Sequence, residues 1–347
     1  MKLPNKITFS TALVALVLAC TVAATAGDYY NKNGNILIAD QFNNRVLEVD
    51  PQTHEIIWSF GDGSSVAGPT SVVAPNDFQR VGGKNLVAGT GAPPGSEPTC
   101  PSGCPDNRVM LISNIGRIVW QYGTAGVTGS GFNQLNTPVQ NTYLPSGHIL
   151  ITDQGNQRVI EVDPSTSFIV WQQGTTGVAG SQFNQLNNPN SAELLDNGDI
   201  LIADESNNRV IEVDRKHRIV WHYGSPNGTK LSGAAFASRL PNGNTLITDS
   251  NNNRILEVTP AGAIAWQYVT NTRPGSVAQP FPTRAVRLKT GNTLISDQFN
   301  HQVIEVDPGG NIVFSQGQIA VPGNGFNELN APYDAKVVGD YTGLTAP

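Results

Sequence analysis

Short apolar runs alternate with polar turn clusters along this chain, and the same alternation returns six times. Segments 33–58 (NGNILIADQFNNRVLEVDPQTHEIIW), 146–171 (SGHILITDQGNQRVIEVDPSTSFIVW) and 197–221 (NGDILIADESNNRVIEVDRKHRIVW) are near copies, and 242–266 and 290–314 continue the series. A sixth, degenerate copy starts at 84–90 (KNLVAGT), is interrupted by a proline-rich insert over 91–106, and resumes at 107–123 (NRVMLISNIGRIVWQYG). In each unit the LIxD and RVIEVD runs carry the β-branched residues that favour strands. The Asp-x-x-Asn cluster between them is turn chemistry, because Asp and Asn side chains bond nearby backbone. A third strand ends in Trp58, Trp120, Trp171, Trp221, Trp266 or, in the last unit, Phe314; a fourth precedes the LIxD run, as at 137–144, 188–195 and 281–288. Four short strands in every 45–50 residues or so predict an all-β fold, a six-bladed β-propeller of four-stranded antiparallel blades.

The ends of the repeat array predict how the ring closes. The first unit begins at its second strand, around 35–40, whereas the orphan segment 330–338 (NAPYDAKVV) matches the first strand that is missing. Pairing 332–338 with 35–40 completes the first blade from both ends of the array and removes an exposed edge strand.

These residues resemble NHL repeats: a G-N-x-L-I-x-D run, an N-x-R-V-x-x-x-D run and a strand ending in W-x-x-G, joined by linkers such as GSGFNQLNTP (129–138), GSQFNQLNNP (180–189) and GNGFNELNAP (323–332). The resemblance covers about residues 30–338. It implies a six-bladed propeller of the kind that binds protein, RNA or small ligands, with some lyases and hydrolases among its relatives. A weaker similarity, carried by the spacing from Asp50 to Trp58 and from Asp163 to Trp171, is to the tryptophan-docking repeat of quinoproteins. Those enzymes usually have eight blades and adjacent cysteines beneath the quinone. This chain has six units and no adjacent cysteines, so the similarity is read as shared blade packing.

Residues that recur in every unit are assigned to structure, since a catalytic constellation is needed once and a blade contact six times. This covers Asp40, Asp153, Asp204, Asp249 and Asp297 with Arg45, Arg158, Arg209 and Arg254, expected as blade-to-blade bridges or turns, and also Glu48, Glu161, Glu212, Glu257, Glu305 and the tryptophans. Residues that vary between units are better candidates for a site. In the channel-lining first strands, the second position after the proline or its equivalent holds Asp77, Gln140, Ser191, Phe236, Arg284 and Asp334; two further on stand Gln79, Thr142, Glu193, Ser238, Val286 and Lys336. From this ring Asp77, Gln140, Glu193, Arg284, Asp334 and Lys336 are the candidate binding residues for a ligand at the channel mouth, although a water-filled channel would present the same pattern. None of the five histidines lies in an aligned first strand, and none forms a metalloenzyme spacing. No phosphate loop or nucleophile elbow occurs either. No catalytic residue, metal ligand or cofactor is therefore assigned.

Composition adds a compartment. Lys2 and Lys6, an apolar stretch from about Ile7 to Cys20 and the small residues Ala24-Thr25-Ala26 read as a signal peptide over 1–26, with the propeller occupying 27–347. In a competing reading, Val17-Leu18-Ala19-Cys20 is an imperfect lipobox that makes Cys20 a lipid anchor. The apolar stretch is shorter than the ~20 residues of a membrane-spanning helix. The two remaining cysteines, Cys100 and Cys104, are expected to form a disulfide in an oxidising, extracytoplasmic (secreted or periplasmic) setting. With 21 basic and 27 acidic residues and a net charge of -6, nothing points to nucleic acid. The expected function is an exported binding scaffold for a protein or small ligand; the alternative is a propeller enzyme of lyase or quinoprotein type using the central channel.

Overall fold

The predicted runs become strands, and the strands sort into six four-stranded antiparallel sheets arranged as a ring. The computed structural model describes residues 29–347; the signal peptide expected over 1–26 and the lipid anchor at Cys20 lie outside the described residues. Blade one comprises β1 (Ile36–Asp40), β2 (Arg45–Val49), β3 (Ile56–Phe60) and, as its innermost strand, β24 (Pro332–Val337). Leu37 faces Lys336 and Ile38 faces Ala335, so the ring closes as the orphan segment predicts. Blades two to six follow in chain order, with innermost strands β4 (Pro75–Val81), β8 (Pro138–Tyr143), β12 (Pro189–Leu194), β16 (Ala234–Arg239) and β20 (Arg284–Arg287).

The core lies between blades, which is why the LIxD strands are apolar on both faces: every residue of β1 is buried. One cluster, for example, joins Leu201 and Val210 of blade four to Ala237, Ile247 and Leu256 of blade five. Each tryptophan crosses to the next blade. Nε1 of Trp58, Trp120, Trp171, Trp221 and Trp266 donates to the carbonyls of Asn114, Pro164, Arg215, Pro260 and Pro308, all in outer turns of the following blade. Phe314 has no donor, and at the seam back to blade one it stacks on His54 instead, with ring centroids 5.6 Å apart.

Of the two expected roles, blade-to-blade bridge or turn, the recurring aspartates take the second and work inside a blade. Asp40 and Arg45 face each other across one hairpin and pair at 2.7 Å, while the other carboxylate oxygen of Asp40 accepts the backbone N–H of Asn330 in the incoming linker. Asp153, Asp204 and Asp249 repeat the arrangement with Arg158, Arg209 and Arg254. In blade six Gln302 stands where arginine is usual, and Arg273 of the preceding linker supplies the guanidinium to Asp297. The recurring glutamates make the bridges between blades: Glu48 with Arg80, Glu161 with Arg215, Glu212 with Arg239, and Glu257 with Arg287. The last three arginines also lie over Trp171, Trp221 and Trp266.

Blade two moves its aspartate. The usual position is Gly89, and the carboxylate of Asp106, from the facing strand, fills that space, bonding Arg108 and the N–H of Val73. A Cβ on Gly89 would lie 2.5 Å from Asp106 Oδ2. Gly89→Ala should therefore destabilise the protein by about 1–3 kcal/mol, as overpacked cores do, and chemical denaturation will read the loss.

The insert of blade two is less irregular than its composition predicts. Its flanking strands, β5 (Lys84–Ala92) and β6 (Cys104–Ile112), extend into the expected 91–106 range and pair Ala92 with Cys104. Between them the loop folds back over the boundary of blades one and two. Glu97 accepts from Asn44 Nδ2 and Ser65 Oγ, and Cys100, disulfide-bonded to Cys104, is buried against Val73 and Ala74.

Candidate functional site

The propeller axis gathers all six residues expected there. The first strands place Asp77, Gln140, Glu193, Arg284, Asp334 and Lys336 facing inward, and each is buried. They do not line an open channel: most of their polar atoms bond to one another and to the ring, and Arg284 Nε and Asp334 Oδ1 are buried without partners among the described residues.

Two side chains bolt the axis. Arg284 is 1% exposed, has no carboxylate at ion-pair distance among the described residues, and donates to backbone carbonyls of Val139, Asn190 and Ala235 in three other blades, and to Asn190 Oδ1 at 2.9 Å. Its guanidinium sits between the rings of Phe236 and Tyr333, 5.3 and 5.1 Å from their centroids. Lys336 pairs with Asp334 on its own strand and reaches Asp77 of the neighbouring blade at 2.7 Å. Burial would lower the Lys336 pKa, but the carboxylates of Asp334 and Asp77 outweigh it and the ammonium is held charged. Burial likewise pushes the Asp77 carboxyl up to about 7 against the pull of Lys336. Gln140 donates to Glu193 Oε1 at 2.8 Å, and burial pushes Glu193 above the usual carboxylate range.

Both ends of the axis are covered. At the end bearing the hairpin turns after the LIxD strands, the residue following the repeated aspartate forms an inner collar: Gln298 donates to Gln41, Gln41 to Asn76, and both Gln154 and Asn190 to Glu205. Sequence reasoning missed this collar. Its signal is the polar residue at Gln41, Gln154, Glu205, Ser250 and Gln298, directly after the recurring aspartate of the repeat. At the opposite end, residues 339–347 fold across the opening, and N–H and Oγ1 of Thr345 donate to Glu193 Oε2 at 2.9 and 2.7 Å. The space left beneath them is about 10 Å³, at the lower limit for one water.

The seam blade carries one titrating tie. In blades one to five Asn44, Asn107, Gln157, Asn208 and Asn253 accept, through side-chain oxygen, the N–H of the residue that leads into the next inner strand. In blade six His301 Nδ1 accepts the N–H of Ala331, a role open only to neutral imidazole. Burial lowers the His301 pKa below its ordinary 6.5. The unfolded chain then binds the proton first, so this contribution to stability is present above about pH 6.5 and is lost as pH falls through the folded value. His301→Asn should keep the bond and remove that loss; on going from pH 7 to pH 5 the variant should give up less melting temperature than the parent.

No group of three or more His, Cys, Asp or Glu side chains is placed to hold a metal ion among the described residues. A quinone stacked on the axis does not fit, because Arg284, Phe236 and Tyr333 fill that position.

Six blades tied by tryptophans that dock on the following blade define a quinoprotein-like β-propeller. Residues 105–319 match the family described as outer membrane protein assembly factor BamB, and the chain belongs to that family. The match favours the quinoprotein-like similarity, which the repeat pattern placed second to the NHL resemblance. A search of curated proteins gives no match. Among solved structures, a protein of unknown function from Bacteroides caccae is 16% identical, with 88% of this chain and 98% of that one covered and a TM-score of 0.59. The WD40 propeller domain of Doa1 is 9% identical, covering 84% and 81%, at a TM-score of 0.52. A streptogramin B lyase is 16% identical, covering 76% and 72%, at 0.50. At these identities the likeness is one of fold.

Proposed function

We propose that this chain is an extracytoplasmic binding scaffold that holds other polypeptides and carries out no chemistry of its own. The observation that carries this reading is the axis: the polar ring that would serve as a catalytic or small-ligand site spends most of its polar atoms on its own bonds, with a side-chain collar at one end and residues 339–347 across the other. Asp77, Gln140, Arg284, Asp334 and Lys336 then act as ties of the ring, and Glu193, at the end of the axis, is the member that meets a polypeptide. The family supports partners of this class, since its description is that of an assembly factor for outer membrane proteins. The Cys100–Cys104 disulfide and the basic-then-apolar start of the chain support a location outside the cytoplasm. The competing reading is an enzyme using the channel. Purified protein incubated with divalent cations and with quinone, then examined by elemental analysis and absorbance, should retain neither. Stoichiometric retention of either overturns the scaffold reading.

A further inference from the structure

Residues 339–347 belong to no strand, yet they are fitted to the ring in detail. Besides the two bonds to Glu193, Thr345 accepts the N–H of Leu194 at 3.0 Å, and its carbonyl accepts from Gln79 Nε2. Leu344 rests on the core between blades six and one. Gly343, at φ +76°, comes so close to blade five that a Cβ there would lie 3.2 Å from the Arg239 carbonyl oxygen. We propose that this end of the axis is a binding site for a partner segment that turns at a glycine into an aliphatic residue followed by threonine or serine, and that residues 339–347 occupy the site in cis.

Three observations carry the proposal, which rests on the scaffold reading and gives that scaffold a site. The first is that the docked segment, a turn closed by the Leu344 N–H on the Tyr341 carbonyl, is read through a few groups: the N–H, C=O and hydroxyl of Thr345, the Leu344 side chain and the Asp340 carboxylate, which accepts the Lys289 N–H. Another polypeptide that offers the same turn and the same groups can make these contacts. The second is that the site is larger than its occupant. A groove of about 450 Å³ runs on beside Tyr341–Leu344, walled by Leu194, Leu195, Leu240 and Pro241. The third is that Arg80 Nε and Nη1 and Asn141 Oδ1, among the residues lining the small cavity under the tail, are buried without partners. Buried donors and acceptors left unpaired favour an occupant that reaches them. Release of the segment breaks no blade, because β24 ends at Val337.

The test uses the chain shortened after Gly339 and a fluorescent peptide of residues 339–347, followed by anisotropy. The shortened chain should bind the peptide saturably at one site, and the full chain should not. Thr345→Val in the peptide, or Glu193→Gln in the protein, should weaken binding about tenfold, the effect of losing a hydrogen bond to a charged group. A peptide that keeps the residues of Asp340, Gly343, Leu344 and Thr345 in place and scrambles the others should still bind. The proposal is overturned if a cooperatively melting shortened chain does not bind, if Thr345→Val has no effect, or if the scrambled peptide fails. Should the shortened chain not fold, hydrogen exchange on the full chain decides: the Thr345 amide should exchange faster than that of Ala335, and equal protection overturns the proposal. Failure here leaves the scaffold reading intact, because that reading stands or falls on metal and quinone retention.

Discussion

A chain ended after Gly325 should lose the single cooperative melt of the intact protein. The deletion strips β24 from β1 and leaves blade one with three strands. It also removes bonds to three other parts of the ring: the carboxylate of Asp334 that accepts the N–H of Phe78 in blade two, the Tyr333 carbonyl that accepts from Thr283 in blade six, and the Ala331 N–H held by His301. A blade buries its faces only against its neighbours, so opening one seam withdraws support from the next. The expected loss is comparable with the whole stability of a domain, about 5–15 kcal/mol, and calorimetry should show a broad or absent transition. Melting like that of the intact chain would refute closure as a source of stability.

Lys336→Met should cost about 3–5 kcal/mol near neutral pH, because it leaves two buried carboxylates, Asp77 and Asp334, without their cation. The loss should shrink in acid. With Lys336 present, Asp77 already titrates at about 7, well above the ~3.9 of an unfolded aspartate. Between those values the folded state binds the extra proton, so stability from this group is full below about pH 4 and is lost as pH rises through about 7. Without the ammonium the folded value moves higher still and the window widens. Denaturation of parent and variant should therefore differ more at pH 8 than at pH 5. A difference independent of pH would mean that the two carboxylates are relieved in some other way.

The periodic part of this molecule was legible in the sequence and the aperiodic part was not. Six near copies, with the first strand missing at one end and present at the other, are enough to specify the ring and its closure. The alignment also brought Asp77, Gln140, Glu193, Arg284, Asp334 and Lys336 to the axis. It could not show what they face, because a residue free to meet a ligand and one bonded to its neighbour differ equally from blade to blade. Arg284 illustrates this: most of its hydrogen bonds go to backbone carbonyls, which leave no mark on side-chain identity. The aspartate moved to Asp106 and the guanidinium brought by Arg273 restore a repeated contact from unrepeated positions, so no column of the repeat records them. The covering by residues 339–347 is likewise unique, and Thr345 has no counterpart in any blade.

The position of β24 also dictates when the fold can be finished. As the chain emerges in order, blades two to six can assemble from segments adjacent in sequence, but β1–β3 wait for a strand almost three hundred residues further on. Until Pro332–Val337 is free, the growing chain is an open crescent with an unpaired edge on β1 and no ammonium beside Asp77. Such an edge is what binds stray strands, so the nascent protein is most exposed to misassembly just before its last strand arrives. Completion of blade one thus waits on a segment almost three hundred residues downstream of the strand it pairs with.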